Sequence, residues 1–314
     1  MKKRKTVIVG AGHVGAHVAS ALMMQDICEE IVLVDTDAKK AEAHAVDLQD
    51  TACYAGKRTK IWFGGYGELT DADICVISYC GNIFEENRLE EMGEALRIAD
   101  EVLPEIKKSG FKGIIVSITN PCDLVALYYK LHSGCQVIGT GTALDSARFR
   151  VRLGQELSLA PSGIEAFCVG EHGNTQVPVW SQVRIGGRLF TELSAEQPER
   201  FGCVDKEKVE DSTINAGWGI VMGKGSTEYG IGAAAAQVIR AILTDSREVL
   251  PCSYEYRRNP DSPLIYTSMP SVIGAAGVLE RMEPKLNDAE ALRFEESCLL
   301  LEQYRKDWLD NRNQ

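Results

Sequence analysis

The chain has 314 residues, 45% of them hydrophobic, with 29 glycines, 10 prolines and a formal net charge of −11 at pH 7. That length and composition exclude a disordered polymer and leave room for a large core, in one two-lobed protein or two domains. The negative balance argues against non-specific nucleic-acid binding, and a small anionic substrate would need a locally basic pocket.

The basic start, Lys2-Lys3-Arg4-Lys5, is a solvated flank that runs into the first strand without the apolar segment of a secretory signal. No stretch approaches the roughly 18 apolar residues of a membrane span, so no membrane partner is expected. The 10 cysteines are scattered, without a CxxC pair or a Cys/His spacing suited to zinc. They read as reduced thiols, which predicts no metal and a cytoplasmic location.

An apolar run at 6–9 breaks into Gly10-Ala11-Gly12-His13-Val14-Gly15, and a second run at 31–34 ends on Asp35. Between them Val14, Val18 and Leu22 recur every four residues, an apolar stripe for a helix lying on a buried sheet. Strand, glycine turn and helix make a recognisable anion site. Gly10 permits a tight turn, Gly12 lets backbone approach a pyrophosphate, Gly15 lets helix and strand pack closely, and the helix N-terminus offers N–H donors. Glycines in such a turn can serve the turn alone, and Asp35 can be a solvated strand-end carboxylate. The order of the elements favours a dinucleotide, with Asp35 accepting from a ribose hydroxyl and repelling a 2′-phosphate, hence NAD rather than NADP.

Further along, a helix is predicted over 38–48, strands over 60–63 and 73–79, an aperiodic segment over 80–87 and a long helix over 88–109. A strand at 113–118 ends at Thr119-Asn120-Pro121, where proline biases Asn120 to an extended conformation. A helix carrying Leu124, Leu127, Tyr128 and Leu131 precedes a strand at 136–139. Such alternation predicts an α/β fold with a doubly wound parallel sheet, the Rossmann arrangement, over residues 1–142. From 143 to 314 the pattern changes to a mixed α+β lobe. It has a charged helix at 144–157, short strands, a hairpin at Gly186-Gly187, helices at 206–222 and 226–243, β segments at 249–256 and 264–269, and a helix from Asp288.

Five histidines are present, and His13, His17, His44 and His132 lie in or beside predicted helices. His172 differs, because Gly170-Glu171-His172-Gly173-Asn174 follows a β-like run at 165–169 and can present a side chain to a cleft, where imidazole suits proton transfer. Asp145 and Arg148 share a helix face three residues apart. They form either a surface ion pair or a pair facing the cleft, where the carboxylate holds an imidazole and the guanidinium grips a substrate carboxylate.

Taken in order, Gly10-Ala11-Gly12-His13-Val14-Gly15, Asp35, Thr119-Asn120-Pro121, Leu144-Asp145-Ser146-Ala147-Arg148-Phe149 and Gly170-Glu171-His172-Gly173 resemble the L-lactate/malate dehydrogenase family over nearly the whole chain. Within it, Ile77-Ser78-Tyr79-Cys80-Gly81-Asn82-Ile83 and Tyr266-Thr267-Ser268-Met269-Pro270 look most like L-2-hydroxyisocaproate dehydrogenases. The resemblance implies NAD as cofactor, held by Gly10, Gly12, His13, Val14, Gly15, Asp35, Asn120 and Ile231. It implies that His172 gives a proton to the keto oxygen, that Asp145 orients it, and that Arg148 binds the substrate carboxylate. Arg88, at the end of a closing loop, would polarise the carbonyl. Asn120, preceding a cis bond to Pro121, would border substrate and nicotinamide, and Thr227 would line the substrate pocket. A homo-oligomer, dimer or tetramer, is also implied.

Two departures bear on substrate. Asn82 stands where the family's lactate enzymes have glutamine and its malate enzymes arginine, and Gly217 stands where lactate enzymes commonly have alanine. Both enlarge the side-chain pocket, which Trp218 would partly refill, and without an arginine a second carboxylate would lie unpaired. The expectation is therefore an NAD-dependent L-2-hydroxyacid dehydrogenase for a larger or branched 2-oxo acid, with L-lactate dehydrogenase as the alternative. A non-catalytic NAD-binding protein on the same fold would have no need of His172, Asp145, Arg148 and Arg88 together. Arg150 matches an arginine of the lactate enzymes that fructose 1,6-bisphosphate activates, but Glu165 replaces their second, histidine contact, so no such activation is expected.

Overall fold

β1 (Lys5–Val9) has no exposed side chain, which is why it reads as an unbroken apolar run rather than an alternation. The computed structural model describes residues 4–81 and 88–311, with 88–90 by backbone alone. β1 pairs in parallel with β2 (Glu30–Val34) on one side and β4 (Ile74–Ile77) on the other. With β3 (Lys60–Phe63), β5 (Ile114–Ser117) and β6 (Gln136–Gly139), the parallel order is 3-2-1-4-5-6. Helices α1 (His13–Met24), α2 (Ala38–Tyr54), α3 (Arg88–Ser109) and α4 (Cys122–Ser133) connect these strands. This is the predicted doubly wound fold.

The period of two along β1 separates two cores. Ile8 faces Val18 and Leu22 of α1, while Val7 and Val9 face Leu96 of α3 and Val125 and Tyr129 of α4. After α5 (Ala143–Leu157) come the short strands β7 (Ile164–Glu165), β8 (Cys168–Val169), β9 (Val177–Pro178), β10 (Arg184–Ile185) and β11 (Arg188–Leu189). They form two small sheets, β11-β10-β7 and β8-β9. Helices α6 (Phe190–Glu196), α7 (Lys206–Ile214), α8 (Ala216–Lys224) and α9 (Tyr229–Thr244) follow. Then β12 (Glu248–Tyr256), β13 (Ile265–Gly274) and β14 (Gly277–Arg281) join the main sheet antiparallel beside β6, and α10 (Asp288–Arg305) closes the fold. The sheet thus continues past residue 142 into the second lobe. α9 packs on α1 so closely that a Cβ at Gly232 would stand 3.0 Å from the His17 carbonyl oxygen.

Several elements differ from the expectation. α2 runs six residues beyond 48 because its buried face is only Ala41, Ala45 and Ala52, small residues that leave no apolar stripe to follow. The helix expected over 206–222 is two helices, broken at Asn215, whose side chain bonds Asp211. α9 starts at Tyr229 rather than 226. The β-like run at 165–169 is divided between two sheets, β7 pairing with β10 and β8 with β9. β14 was not foreseen, since its hairpin turns on Gly277 at φ +94, in an Ala- and Gly-rich stretch with little alternation.

Among the described residues no helix is long and apolar enough to cross a membrane, and no group of three or more His, Cys, Asp and Glu is placed to hold a metal ion. All 10 cysteines are unpaired thiols.

Candidate active site

The glycine turn between β1 and α1 shows why two of its glycines are required by the chain itself. Gly10 lies at φ +98, and a Cβ there would stand 2.4 Å from the Tyr79 backbone nitrogen; at Gly15 it would stand 2.0 Å from the Gly10 carbonyl oxygen. Gly12 is different, because its Cβ would meet nothing nearer than Lys40 Nζ at 3.9 Å. Packing gives no reason for a glycine there, whereas a pyrophosphate laid on the loop would fill that space. α1 begins without a side-chain cap and without an acidic residue in its first turn, which suits an anion over its N-terminus. Asp35 stands beside the loop, Oδ2 accepting from the Ala11 N–H at 2.7 Å and Oδ1 from the Asp37 N–H at 2.9 Å. The residues present therefore fit a dinucleotide.

α9 supplies the opposite wall. Ile231, in its first turn, is buried in the core shared with α1, and half-buried Val14 packs against that core. Glu228, beside Thr227, ties the two helices together: its carboxylate accepts from Lys224 at 2.9 Å and from Ser226, and lies 3.6 Å from His13 and 3.7 Å from His17.

The corner around His172 draws on several elements. His172 sits in the turn between β8 and β9, where Gly170, at φ +93, exchanges two backbone hydrogen bonds of 2.9 Å with Ser268 of β13. A Cβ at Gly170 would press on the Ser297 hydroxyl of α10 at 2.7 Å, and that hydroxyl accepts from the Glu171 N–H. Glu171 in turn accepts from the backbone and hydroxyl of Thr175. The turn is thereby held rigid, and His172 Nδ1 lies 2.6 Å from Asp145 Oδ2. Asp145 Oδ1 accepts from Arg148 Nη1 at 3.0 Å, so one buried carboxylate serves both cations. The alternative of a plain surface ion pair is excluded, because the Asp145 side chain is 1% exposed.

The electrostatics follow from this arrangement. Burial alone would lower the His172 imidazole, but the charge and hydrogen bond of Asp145, followed by the charge of Asp123, raise it above its ordinary range. For Asp145 burial acts upward, and His172 and then Arg148 outweigh it, holding the carboxyl below the usual carboxylate range. The corner is thus a persistent carboxylate beside an imidazole biased toward its protonated form.

The Asn120–Pro121 bond is cis, as the resemblance implies, and Thr119 is fixed by its hydroxyl to the Tyr79 carbonyl at 2.7 Å. Gly217 of α8 faces the guanidinium of Arg148, where a Cβ would lie 3.7 Å from both terminal nitrogens. Trp218 is 43% exposed. Asn82 and the side chain of Arg88 lie outside the described residues; by backbone, Arg88 opens α3. Arg150 and Glu165 both line a separate cleft of about 740 Å³, with Arg184 and Pro251 also on its walls and His172 not among them.

Sequence reasoning missed Asp123 and Ser253. Asp123, in the first turn of α4, accepts the His172 backbone N–H at 2.8 Å and is bonded by the Ser253 hydroxyl of β12. Its position two residues after Pro121 was the available signal, but an acid in a first helical turn reads equally well as an ordinary helix-end charge.

Residues 4–138 match the lactate/malate dehydrogenase NAD binding domain, and residues 142–309 match the alpha/beta C-terminal domain of the same family. The L-lactate dehydrogenase of Fusobacterium nucleatum subsp. nucleatum is 38% identical over 307 residues, 97% of this chain and 96% of that one. Among solved structures, the minor L-lactate dehydrogenase of Enterococcus mundtii superposes with a TM-score of 0.92 at 32% identity, covering 99% of each chain. The lactate dehydrogenase of Cryptosporidium parvum, complexed with lactic acid and nicotinamide adenine dinucleotide, gives 0.90 at 25% identity over 98% of each chain. The chain belongs to the lactate/malate dehydrogenase family and is an NAD-dependent oxidoreductase.

Proposed function

We propose that the chain interconverts a 2-oxo acid and its L-2-hydroxy acid, with pyruvate and L-lactate as the pair that the names of its relatives favour. The observation that carries this reading is the Asp145 carboxylate shared between His172 and Arg148. NADH supplies the hydride. Gly10, Gly12, His13, Val14, Gly15 and Asp35 hold the adenosine and pyrophosphate side of the cofactor, and Asn120 and Ile231 flank its nicotinamide.

The protein's own groups then divide the work. Arg148 uses one donor on Asp145 and presents the rest of its planar fork to the substrate carboxylate. His172 has Nδ1 committed to Asp145, which assigns proton delivery to Nε2. Asp145 fixes the ring and stabilises the imidazolium while the keto oxygen gains charge. Arg88 polarises that carbonyl, and Asn82, Thr227 and Gly217 bound the substrate's side chain.

A second reading, a larger or branched 2-oxo acid such as 2-oxoisocaproate, is favoured by the absence of a side chain at Gly217 beside Arg148 and by the short Asn82. One experiment separates them: kcat/KM for NADH oxidation with pyruvate, 2-oxoisocaproate, phenylpyruvate and oxaloacetate in one buffer. Preference for pyruvate supports lactate dehydrogenase, and preference for either bulky acid supports the second reading. Oxaloacetate is expected to be poor, since its second carboxylate meets no arginine at Asn82, Ile83 or Phe84. Turnover of none of the four overturns both readings.

A further inference from the structure

Asp123 is buried beside the reacting corner, and the chemistry just outlined gives it no task. Its carboxylate, 3% exposed, joins three elements: it rides on α4, accepts the backbone N–H of His172 through Oδ2, and is bonded by Ser253 of β12 through Oδ1. Hydrogen bonding alone does not call for an acid here. An asparagine would accept the same N–H and face the same hydroxyl without the cost of burying a charge.

Among the described residues, the charged and titratable groups that act on His172 come from three elements. α5 contributes Asp145 and Arg148, α4 contributes Asp123, and the turn itself contributes Glu171, which is spent on Thr175. Beside Asp123, burial pushes the Cys122 thiol up to about 12, and the buried Cys168 of β8 is raised well beyond its ordinary value, so both are neutral at working pH. β12, β13 and α10 bring the hydroxyls of Ser253, Ser268 and Ser297 to this region. Among the described residues, Asp123 is therefore the second negative charge that acts on the imidazolium, after Asp145. Burial pushes its own carboxyl up to about 6, against the bonds from Ser253 and the His172 N–H.

We propose that Asp123 is a positioning residue for the proton donor: its carboxylate fixes the backbone of His172 and, as a second charge beside Asp145, supports the imidazolium during reduction. This rests on His172 acting as the donor.

The test is a proton NMR titration of the His172 ring, its resonance assigned by its loss in His172→Asn, set beside the pH profile of kcat/KM for the best 2-oxo acid. Asp123→Asn keeps the shape and removes the charge. Its His172 midpoint should fall by about half a unit to one unit, and the alkaline limb of kcat/KM should move with it, making reduction roughly three- to tenfold slower there and unchanged at lower pH. Ser253→Ala removes the bond and keeps the charge, so its alkaline limb should stay in place. An Asp123→Asn titration that superimposes on the wild type, in a protein that turns over, overturns the proposal. So does an equal loss of activity at every pH in both variants, the mark of a merely structural role. Wild-type protein inert toward every 2-oxo acid removes the catalytic reading, and the positioning role with it. Should Asp123→Asn not fold, the carboxyl carbon resonance of Asp123 in the wild type must inflect at the His172 midpoint; a flat trace sinks the idea.

Discussion

Gly170 holds φ +93 with a Cβ position 2.7 Å from the Ser297 hydroxyl, whereas Gly219 and Gly223 of α8 have nothing within 4 Å of theirs. The two regions meet at Arg148, yet they are built oppositely. In the His172 turn the key groups answer to neighbours: Gly170 to β13 and α10, Glu171 to Thr175, the His172 backbone to Asp123. α8 spends three glycines that no packing contact demands, and leaves Trp218, Ile220 and Met222 exposed. Each such glycine costs a helix about 0.5–1 kcal/mol relative to alanine. On the proposed reading, the proton donor stands on a wall fixed by its neighbours, and the substrate's side chain would meet a wall whose composition stability does not dictate.

The largest effect should come from the rigid wall. His172→Asn keeps the shape of the ring's near half and removes the titrating nitrogen, so kcat for 2-oxo acid reduction should fall by about 10²–10⁴-fold while NADH binding, read by fluorescence, persists. Loss of NADH binding together with turnover would show that the turn supports the cofactor and not proton transfer.

Next comes the frame of that turn. Gly170→Ala forces a side chain into a left-handed backbone conformation and against Ser297, so thermal or urea unfolding should show a loss of about 1–3 kcal/mol. An unchanged midpoint would mean that the turn relaxes freely, and the contrast with α8 would disappear.

The pH response is smaller and has a definite sign. Because His172 is raised above its ordinary 6.5, reduction should stay level through that pH and decline about tenfold per unit only above the raised value; hydroxy-acid oxidation, which needs the neutral ring, should rise over the same range. The same pair contributes to stability in two windows. The His172 share is complete below 6.5 and fades as pH rises through the folded value; the Asp145 share is present above its ordinary 3.8 and is lost as pH falls through its lowered value. A reduction profile that already declines below pH 6.5 would show that Asp145 does not hold the imidazolium.

Much of this was readable in the residues themselves. The glycine turn, Asp35 and the alternating runs place the parallel sheet, because strands buried on both faces declare themselves by composition. His172 and Asp145 were legible for a different reason: few histidines sit in glycine turns, and a helix spacing of three puts Asp145 and Arg148 on one face. What stayed hidden depends on long-range placement. That Asp145 is shared by His172 and Arg148, and that Asp123 reaches the His172 backbone 49 residues away, follows from how α4, α5 and β13 meet, which no local pattern encodes. The break at Asn215 was equally invisible, since 206–222 holds helix formers on one side and glycines on the other, and the tertiary packing of α7 decides where the helix ends.

The smallest effect gives the finest test of the comparison. At Gly217 a Cβ would lie 3.7 Å from both terminal nitrogens of Arg148, ordinary contact rather than a clash. Gly217→Ala should therefore raise the melting temperature slightly, by the helix preference of about 0.5–1 kcal/mol, and Gly219→Ala, with nothing near its Cβ, should do the same. Only the first adds a methyl beside Arg148, the proposed anchor of the substrate carboxylate. One methylene in an apolar pocket is worth about 1–3 kcal/mol of discrimination, and this one borders the pocket rather than filling it. The ratio of kcat/KM for 2-oxoisocaproate over pyruvate should then drop about fivefold in Gly217→Ala and hold steady in Gly219→Ala. If both variants keep the wild-type ratio, α8 bounds Arg148 but not the side chain of the substrate, and the specificity wall must be sought in the segment that holds Asn82. If both lose it equally, the cause is stiffening of the helix as a whole, and the glycines of α8 serve its mobility rather than the room they leave.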